Sequence, residues 1–288
     1  MTNLSDYISE SILSSTRTGK AGIDEELKKY GLNPAKATVN ADGTIDYNGT
    51  VVLMRLGLTK LPFRFRKVTG GFDCAQNSLT TLDGAPETVG GGFFCEFNNL
   101  TTLEGAPKTV VRDFDCSHNR LITLEGAPDE VKGSFNCSHN NLTSLNHCPQ
   151  VISGSFVCHT NQLNSIKGVP KQMYGDFDCS YNNLTSLEDA PDKVGGSFYC
   201  SCNKLTSLEG CPKHVDDNYS CSYNQLTSLD GGPTQVGGNY SCANNQLTSL
   251  DGMPKRLHCV FCCTNNPGRF TKEDVLKVCN INRRNIMI

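Results

Sequence analysis

The chain has 288 residues, a formal net charge of −3 at pH 7 and 16 cysteines. Such a small net charge does not indicate a protein that wraps around nucleic acid or a helix that lies on a membrane surface. No stretch approaches about 18 consecutive apolar residues, and the first 20 residues lack the apolar core of a signal peptide. We therefore expect a soluble, cytosolic protein that binds neither nucleic acid nor membrane.

Residues 1–20 are polar and rich in serine and threonine, apart from one short apolar pattern that suits a brief amphipathic helix. The residues of that pattern are Leu4, Tyr7, Ile8, Ile12 and Leu13.

Residues 21–50 are expected to form a small cap of mixed α and β structure on the repeats that follow. A helix over residues 21–30 is predicted to end at Gly31, shortly before Pro34. Asp-Gly and Asn-Gly turn signals at residues 42–43 and 48–49 predict a small hairpin within residues 39–53.

An Asn-x-Leu motif then returns every 21 residues without slippage. Its asparagines are Asn77, Asn98, Asn119, Asn140, Asn161, Asn182, Asn203, Asn224 and Asn245, and the last one, Asn266, is followed by Pro267. Around each asparagine from Asn77 to Asn245, Phe or Tyr lies five residues before, Cys three before, Leu two after, Leu or Ile five after, and Pro nine after. A period this strict indicates stacked backbone turns, and with an atypical first coil around Leu56 we count eleven coils within residues 51–268.

Each repeat has the pattern of a strand with one buried face, because Phe and Cys alternate with polar residues. Coils of equal length place these strands side by side in a parallel sheet. The repeated asparagine lies at a turn, where its amide can bond backbone groups of neighbouring coils. The Gly-Ala-Pro stretch cannot sustain a helix and predicts an irregular or extended return path.

Ten cysteines share one repeat position, and we expect them to face the core as small buried hydrophobes. They are Cys74, Cys95, Cys116, Cys137, Cys158, Cys179, Cys200, Cys221, Cys242 and Cys263. Cys259-x-x-Cys262 has metal-like spacing, but no second Cys or His pair follows at a suitable distance. We therefore predict no metal and no cofactor.

Residues 269–288 are expected to cap the last coil. Thr271, with Asp274 three residues later, has the pattern of a capping box and predicts a short helix through Val278.

The unit Phe-x-Cys-x-x-Asn-x-Leu resembles the leucine-rich-repeat signature over residues 51–268. The resemblance implies a mainly β leucine-rich-repeat solenoid with a curved parallel sheet on its concave face and an irregular convex side. Family members mostly bind proteins on the concave face, and the short unit is similar to bacterial and viral kinds. Bacterial relatives that act as ubiquitin ligases carry a separate catalytic domain, for which this chain has no room, so we expect no enzyme.

Residues 4–11 resemble the capsid-targeting peptides of large contractile-tailed bacteriophages. The resemblance implies cleavage by a prohead protease between Glu10 and Ser11, and hence a phage-encoded protein of the host cytoplasm or the virion interior. An ordinary amphipathic cap helix is the alternative interpretation.

If Phe and Cys point inward, the residues six, four and two before each asparagine point to the concave face, and the residue just before it lies at the rim. These four columns contain carboxylates, rings and histidines but no Lys or Arg. They predict a surface for a basic or polar protein partner and argue against nucleic acid. The predicted binding residues are Phe94, Phe97, Asp113, Asp115, His118, His139, His159, Asp176, Asp178, Tyr181, Tyr199 and Tyr223. Rings that only stack on each other are the alternative.

Two chemical alternatives involve the same columns. His118 and His139 are one coil apart, with His159 nearby, which suggests a zinc or nickel site, although neighbouring surface imidazoles are commoner than ligands. The Asp113-x-Asp115 and Asp176-x-Asp178 pairs lie three coils apart, roughly 14 Å, which is too far for the paired carboxylates of a glycosidase.

One basic cluster, Arg64, Arg66 and Lys67, is interleaved with Phe63 and Phe65 at the first coils. We expect a solvated surface there, with phosphate or an acidic partner as the alternative.

Together these features predict a non-enzymatic binding module that grips a host or viral protein, as a phage-packaged effector that blocks a host factor. A structural or virion-associated component is the alternative function.

Overall fold

The computed structural model describes residues 20–288. The apolar pattern of residues 4–13 and the predicted cleavage site at Glu10 and Ser11 lie outside the described residues.

The amino-terminal cap contains one helix and one hairpin. Helix α1 spans Lys20–Lys29, a 3-10 turn spans Pro34–Lys36, and strands β1 (Ala37–Val39) and β2 (Ile45–Tyr47) pair antiparallel. The helix agrees with the sequence prediction. The hairpin turns at the predicted Asp42-Gly43, but it spans residues 37–47 and so begins before the predicted residues 39–53 and ends before them.

The carboxyl-terminal cap is built on helix α2, Lys272–Val278. Its first turn is closed by a capping box in which Thr271 and Asp274 satisfy each other's backbone N–H groups, as predicted. A 3-10 turn, Arg283–Asn285, then leads into the last strand. Across residues 20–288, no helix has the length and apolarity needed to cross a bilayer.

One parallel sheet of twelve strands, which we call the main sheet, runs the length of the repeats. Eleven of its strands are β3 (Val51–Val52), β5 (Phe72–Asp73), β7 (Phe93–Phe94), β9 (Phe114–Asp115), β11 (Phe135–Asn136), β13 (Phe156–Val157), β15 (Phe177–Asp178), β17 (Phe198–Tyr199), β19 (Tyr219–Ser220), β21 (Tyr240–Ser241) and β22 (Phe261–Cys262). The twelfth, β23 (Ile286–Met287), follows α2 and pairs with β22. The carboxyl-terminal segment therefore adds a strand beyond the eleven coils counted from the sequence.

A second short strand lies in the return path of the coils, around the buried residue three positions after proline. The path is extended, as predicted, but its pairing into sheets was not predicted. These strands are β4 (Phe65–Val68), β6 (Thr88–Val89), β8 (Thr109–Val110), β10 (Glu130–Val131), β12 (Val151–Ile152), β14 (Gln172–Met173), β16 (Lys193–Val194), β18 (His214–Val215) and β20 (Gln235–Val236). With β1 and β2 they form a parallel-dominated sheet of seven strands and a separate sheet of four.

The core consists of columns of identical side chains, one from each coil. Phe93 and Phe114 are fully buried, and their ring centroids lie 5.3 Å apart. All ten repeat-position cysteines are at most 3% exposed, which confirms the predicted inward column. Burial raises the pKa of these thiols, Cys263 to about 12, so they are protonated at neutral pH.

The repeated asparagines join consecutive coils. Asn119 accepts the N–H of Leu100 at 3.0 Å and donates its amide protons to the carbonyl oxygens of Cys95, Cys116 and Ser117. The side chain is only 9% exposed, and these bonds compensate its burial. The predicted role of the asparagine is confirmed.

Candidate protein-binding surface

The outer face of the main sheet carries the residue between Phe and Cys of each coil. Every member of this column from Asp73 to Cys262 is partly exposed, including Phe94, Asp115 and Tyr199. The paired registers place Phe94 beside Asp115 and Asp178 beside Tyr199. Rings and carboxylates thus neighbour each other from Asp73 to Asp115 and again at Asp178 and Tyr199, with Asn136 and Val157 between the two stretches.

The predicted carboxylates also bind backbone N–H groups. Asp115 and Asp178 each accept the N–H two residues later, at 2.8 and 2.9 Å. Asp113 and Asp176 accept the N–H of Ser134 and Ser197 in the next coil, at 2.8 and 2.7 Å. One oxygen of each carboxylate therefore stabilises the coil. The second oxygen of Asp115 accepts the Asn136 amide at 3.0 Å, whereas those of Asp113, Asp176 and Asp178 accept no hydrogen bond from the described residues.

The column two residues before asparagine was predicted to be surface, and the structure corrects this for most of its members. Ser117, Ser138 and Ser180 are only 3–6% exposed, because they lie under the turn that the asparagine closes. His159 is larger and remains partly exposed.

Glu96 belongs to the same column and was not among the predicted binding residues. Burial, with smaller contributions from Asp115 and Asp73, raises its pKa to about 7. Its Oε2 atom is buried without a hydrogen-bond partner among the described residues. The coil of Asn98 thus carries the half-buried carboxyl group of Glu96 together with Phe94 and Phe97.

The residue just before the repeated asparagine has left-handed backbone geometry in all ten coils from Asn77 to Asn266. These residues are Gln76, Phe97, His118, His139, Thr160, Tyr181, Cys202, Tyr223, Asn244 and Asn265, with φ between 51° and 57°. We call them the rim column. Such geometry is uncommon outside glycine, asparagine and aspartate, and it is strained for bulky residues.

Aromatic side chains of the rim column are exposed and stack on one another. Phe97, Tyr181 and Tyr223 are 49%, 61% and 58% exposed. The ring centroids of Phe97 and His118, and those of His118 and His139, lie 4.1 Å apart in nearly parallel planes. Self-stacking, the alternative raised from the sequence, therefore describes Phe97 to His139, whereas Tyr181 and Tyr223 have no ring neighbour in the described residues.

A groove of about 540 Å³ opens on this surface where the stack stops. It is lined by His139, His159, Thr160, Asp178, Ser180, Tyr181 and Tyr199. Burial lowers the pKa of the His159 imidazole, so this ring is neutral at pH 7. Five predicted binding residues therefore meet at one place.

The other predicted residues do not join that groove. Phe94, Phe97, Asp113, Asp115 and His118 lie in earlier coils, and Tyr223 lies two coils beyond Tyr181. Asp176 bonds the Ser197 N–H and does not line the groove. Thr160 and Ser180 of the groove were missed by the sequence analysis. Thr160 could have been found, because it is the small residue that interrupts the run of rings in the rim column.

The structure does not bring the histidines and carboxylates into a metal-binding cluster. Within residues 20–288, no group of three or more His, Cys, Asp or Glu side chains has suitable geometry. All cysteines are free thiols, Cys259 and Cys262 included. Of the basic cluster, Arg66 is paired with Asp46.

The stacked coils and the twelve parallel strands of the main sheet define a parallel leucine-rich-repeat solenoid of about twelve turns. No model of a protein family matches the chain, and no protein of curated function does. The structure of YopM, a leucine-rich effector protein from Yersinia pestis, matches 75% of the chain with 17% sequence identity and a TM-score of 0.51. The match spans 66% of the YopM chain, just under two thirds of it.

Two further structures have lower TM-scores. The leucine-rich-repeat domain of a Shigella effector has 23% identity over 55% of this chain and 70% of its own, with a TM-score of 0.46. The leucine-rich-repeat domain of APL1B has 16% identity over 82% of this chain and 73% of its own, with a TM-score of 0.49. At these identities the likeness concerns the fold alone.

Proposed function

We propose that the chain is a non-enzymatic binding module and that the outer face of the main sheet, with the rim column, holds a protein partner. The observation that carries this proposal is the exposure of strained aromatic residues. Phe97, Tyr181 and Tyr223 adopt a left-handed backbone that asparagine adopts more easily, as at positions 244 and 265. Their exposed rings add little to the core, and those of Tyr181 and Tyr223 stack on no other ring of the described residues, so a binding role is the simplest reason for these two side chains.

The charge of the surface supports a basic or polar partner. The four columns carry Asp73, Glu96, Asp113, Asp115, Asp176 and Asp178 but no Lys or Arg. Rings beside carboxylates suit a protein surface that presents cations, because aromatic faces and carboxylates both attract them. A phosphate backbone would be repelled.

Capture of partners from a lysate of the native host tests the proposal. The test variant combines Phe97→Ala, Tyr181→Ala and Tyr223→Ala. The matched control combines Val111→Ala, Ile122→Ala and Tyr174→Ala, which removes exposed apolar groups outside the four columns. We expect the wild-type chain and the control to recover the same proteins, and the test variant to recover at least tenfold less of them. Equal recovery by both variants, with unchanged circular dichroism, would contradict the surface assignment.

The finer proposal is that the protein acts as an effector in a host cytoplasm and is packaged in a phage particle beforehand. It is supported by the resemblance of residues 4–11 to capsid-targeting peptides, and YopM offers a parallel as a leucine-rich effector. Mass spectrometry of particles should then find the chain beginning at Ser11. An intact amino terminus in particles would instead favour a virion-associated structural component. Absence of the chain from particles would contradict packaging.

A further inference from the structure

The ring stack of the rim column lacks one member. Phe97, His118 and His139 stack in consecutive coils, and Tyr181 returns two coils later, but the coil between them has Thr160. Coils follow one another at about 4.8 Å, so His139 and Tyr181 are separated by roughly 10 Å along the sheet. A flat group midway would lie about 5 Å from each ring, which is an ordinary stacking separation. It would lie beside the His159 imidazole, which contacts His139 from the same coil as Thr160.

The groove at this gap has one charged group with a free oxygen. Asp178 uses Oδ1 to accept the N–H of Ser180 at 2.9 Å, and the described residues offer its Oδ2 no hydrogen-bond partner. His159 stands edge-on to His139, at 4.9 Å between ring centroids, and its imidazole bonds the Thr160 hydroxyl at 3.0 Å. A cation entering the groove would meet a carboxylate and ring faces, with no lysine or arginine among the lining residues.

We propose that this groove holds one arginine side chain of the protein partner, with its guanidinium between His139 and Tyr181 and paired with Asp178. This rests on the proposed function and names the group that the surface recognises. Arginine fits better than lysine, because its planar guanidinium stacks on rings and presents a fork of donors to a carboxylate. A neutral ring could fill the gap but would leave Asp178 Oδ2 unpaired.

The test uses a small probe and the full chain. N-acetyl-arginine methylamide is titrated into the ¹⁵N-labelled protein, and amide shifts of Ser180, Tyr181 and Tyr199 are followed by NMR. The citrulline analogue has nearly the same shape without the charge, and the lysine analogue has the charge without the plane. We expect saturable binding of the arginine probe with a millimolar Kd, and binding of both analogues weaker by about tenfold.

Three variants test whether the arginine probe binds in this groove. Asp178→Asn keeps an oxygen for the Ser180 N–H but removes the charge, and should weaken the arginine probe about tenfold. Asp42→Asn is the matched control: Asp42 also accepts the N–H two residues later, from Thr44 at 3.0 Å, but it lies in the amino-terminal cap outside the proposed surface, so binding should not change. Thr160→His should complete the stack and block the probe.

The outcomes separate this proposal from the broader one. No saturable shift, equal shifts with the citrulline analogue, or equal loss in the Asp178 and Asp42 variants would overturn the arginine site. If Thr160→His does not fold, the comparison of the Asp178 and Asp42 variants alone decides. Loss of the captured partner in the triple Ala variant would still support the binding surface even if the arginine probe fails.

Discussion

At the scale of single residues, backbone conformation determines what a repeat position can carry. The turn before the alanine-proline pair has left-handed geometry in nearly every coil, and glycine occupies it at positions such as Gly105 and Gly126. A Cβ atom on Gly126 would lie 2.4 Å from the backbone of Leu103. Two coils nevertheless place other residues there, His147 with φ 66° and Asp189 with φ 73°.

His147→Gly should therefore stabilise the protein. The His147 side chain is exposed, so little packing is lost, while the strain of a left-handed histidine is relieved. Part of the gain is offset by the greater freedom of glycine in the unfolded chain, which leaves about 0.5–1 kcal/mol. Urea denaturation measures the change. Asp189→Gly should gain less stability, because the Asp189 carboxylate lies 3.9 Å from the Lys171 ammonium group. Aspartate also tolerates left-handed geometry better than histidine does. Destabilisation by His147→Gly would show that the histidine contributes a contact worth more than the strain.

The candidate site was predictable from the sequence in its composition but not in its geometry. The absence of cations and the positions of Tyr181 and Asp178 follow from the period alone. The left-handed backbone before each asparagine does not, because phenylalanine and tyrosine have no preference for it. The burial of Ser117 and Ser180 was also missed, since alternation along a strand stops at the turn that the asparagine closes.

At the scale of secondary-structure elements, the strict period determined the main sheet. Phe114 pairs with Phe135 and Asp115 with Asn136, so equal spacing in the sequence became equal register in space. The helices were predictable from local capping chemistry, as at Thr271.

The short strands outside the Phe-x-Cys pattern were harder to predict. Strand β8, Thr109–Val110, has too few residues for an alternating pattern, and it forms because each coil offers the next its backbone groups. Strand β23, Ile286–Met287, lies outside the repeat and pairs because α2 returns the chain to the end of the main sheet. Neither strand has a sequence signature of its own.

At the scale of the whole molecule, each coil is stabilised by its neighbours. Leu100 donates its N–H to Asn119 of the next coil, and Cys95 donates its thiol proton to the carbonyl oxygen of Asp115 at 3.4 Å. Stability in such a structure is a sum of coil and interface contributions. The inward direction of Phe and Cys is therefore one property shared by all coils, and it determines which columns face outward to a partner.

Labelling of the native protein with a bulky maleimide, read residue by residue by mass spectrometry, tests that direction most directly. We expect Cys202, Cys259 and Cys262, which are partly exposed, to react first. The ten buried repeat-position thiols should react at least about a hundredfold more slowly, because the reagent must wait for local opening of the coils. Labelling of those ten thiols as fast as Cys202 would contradict the inward orientation, and the assignment of the binding surface would fail with it.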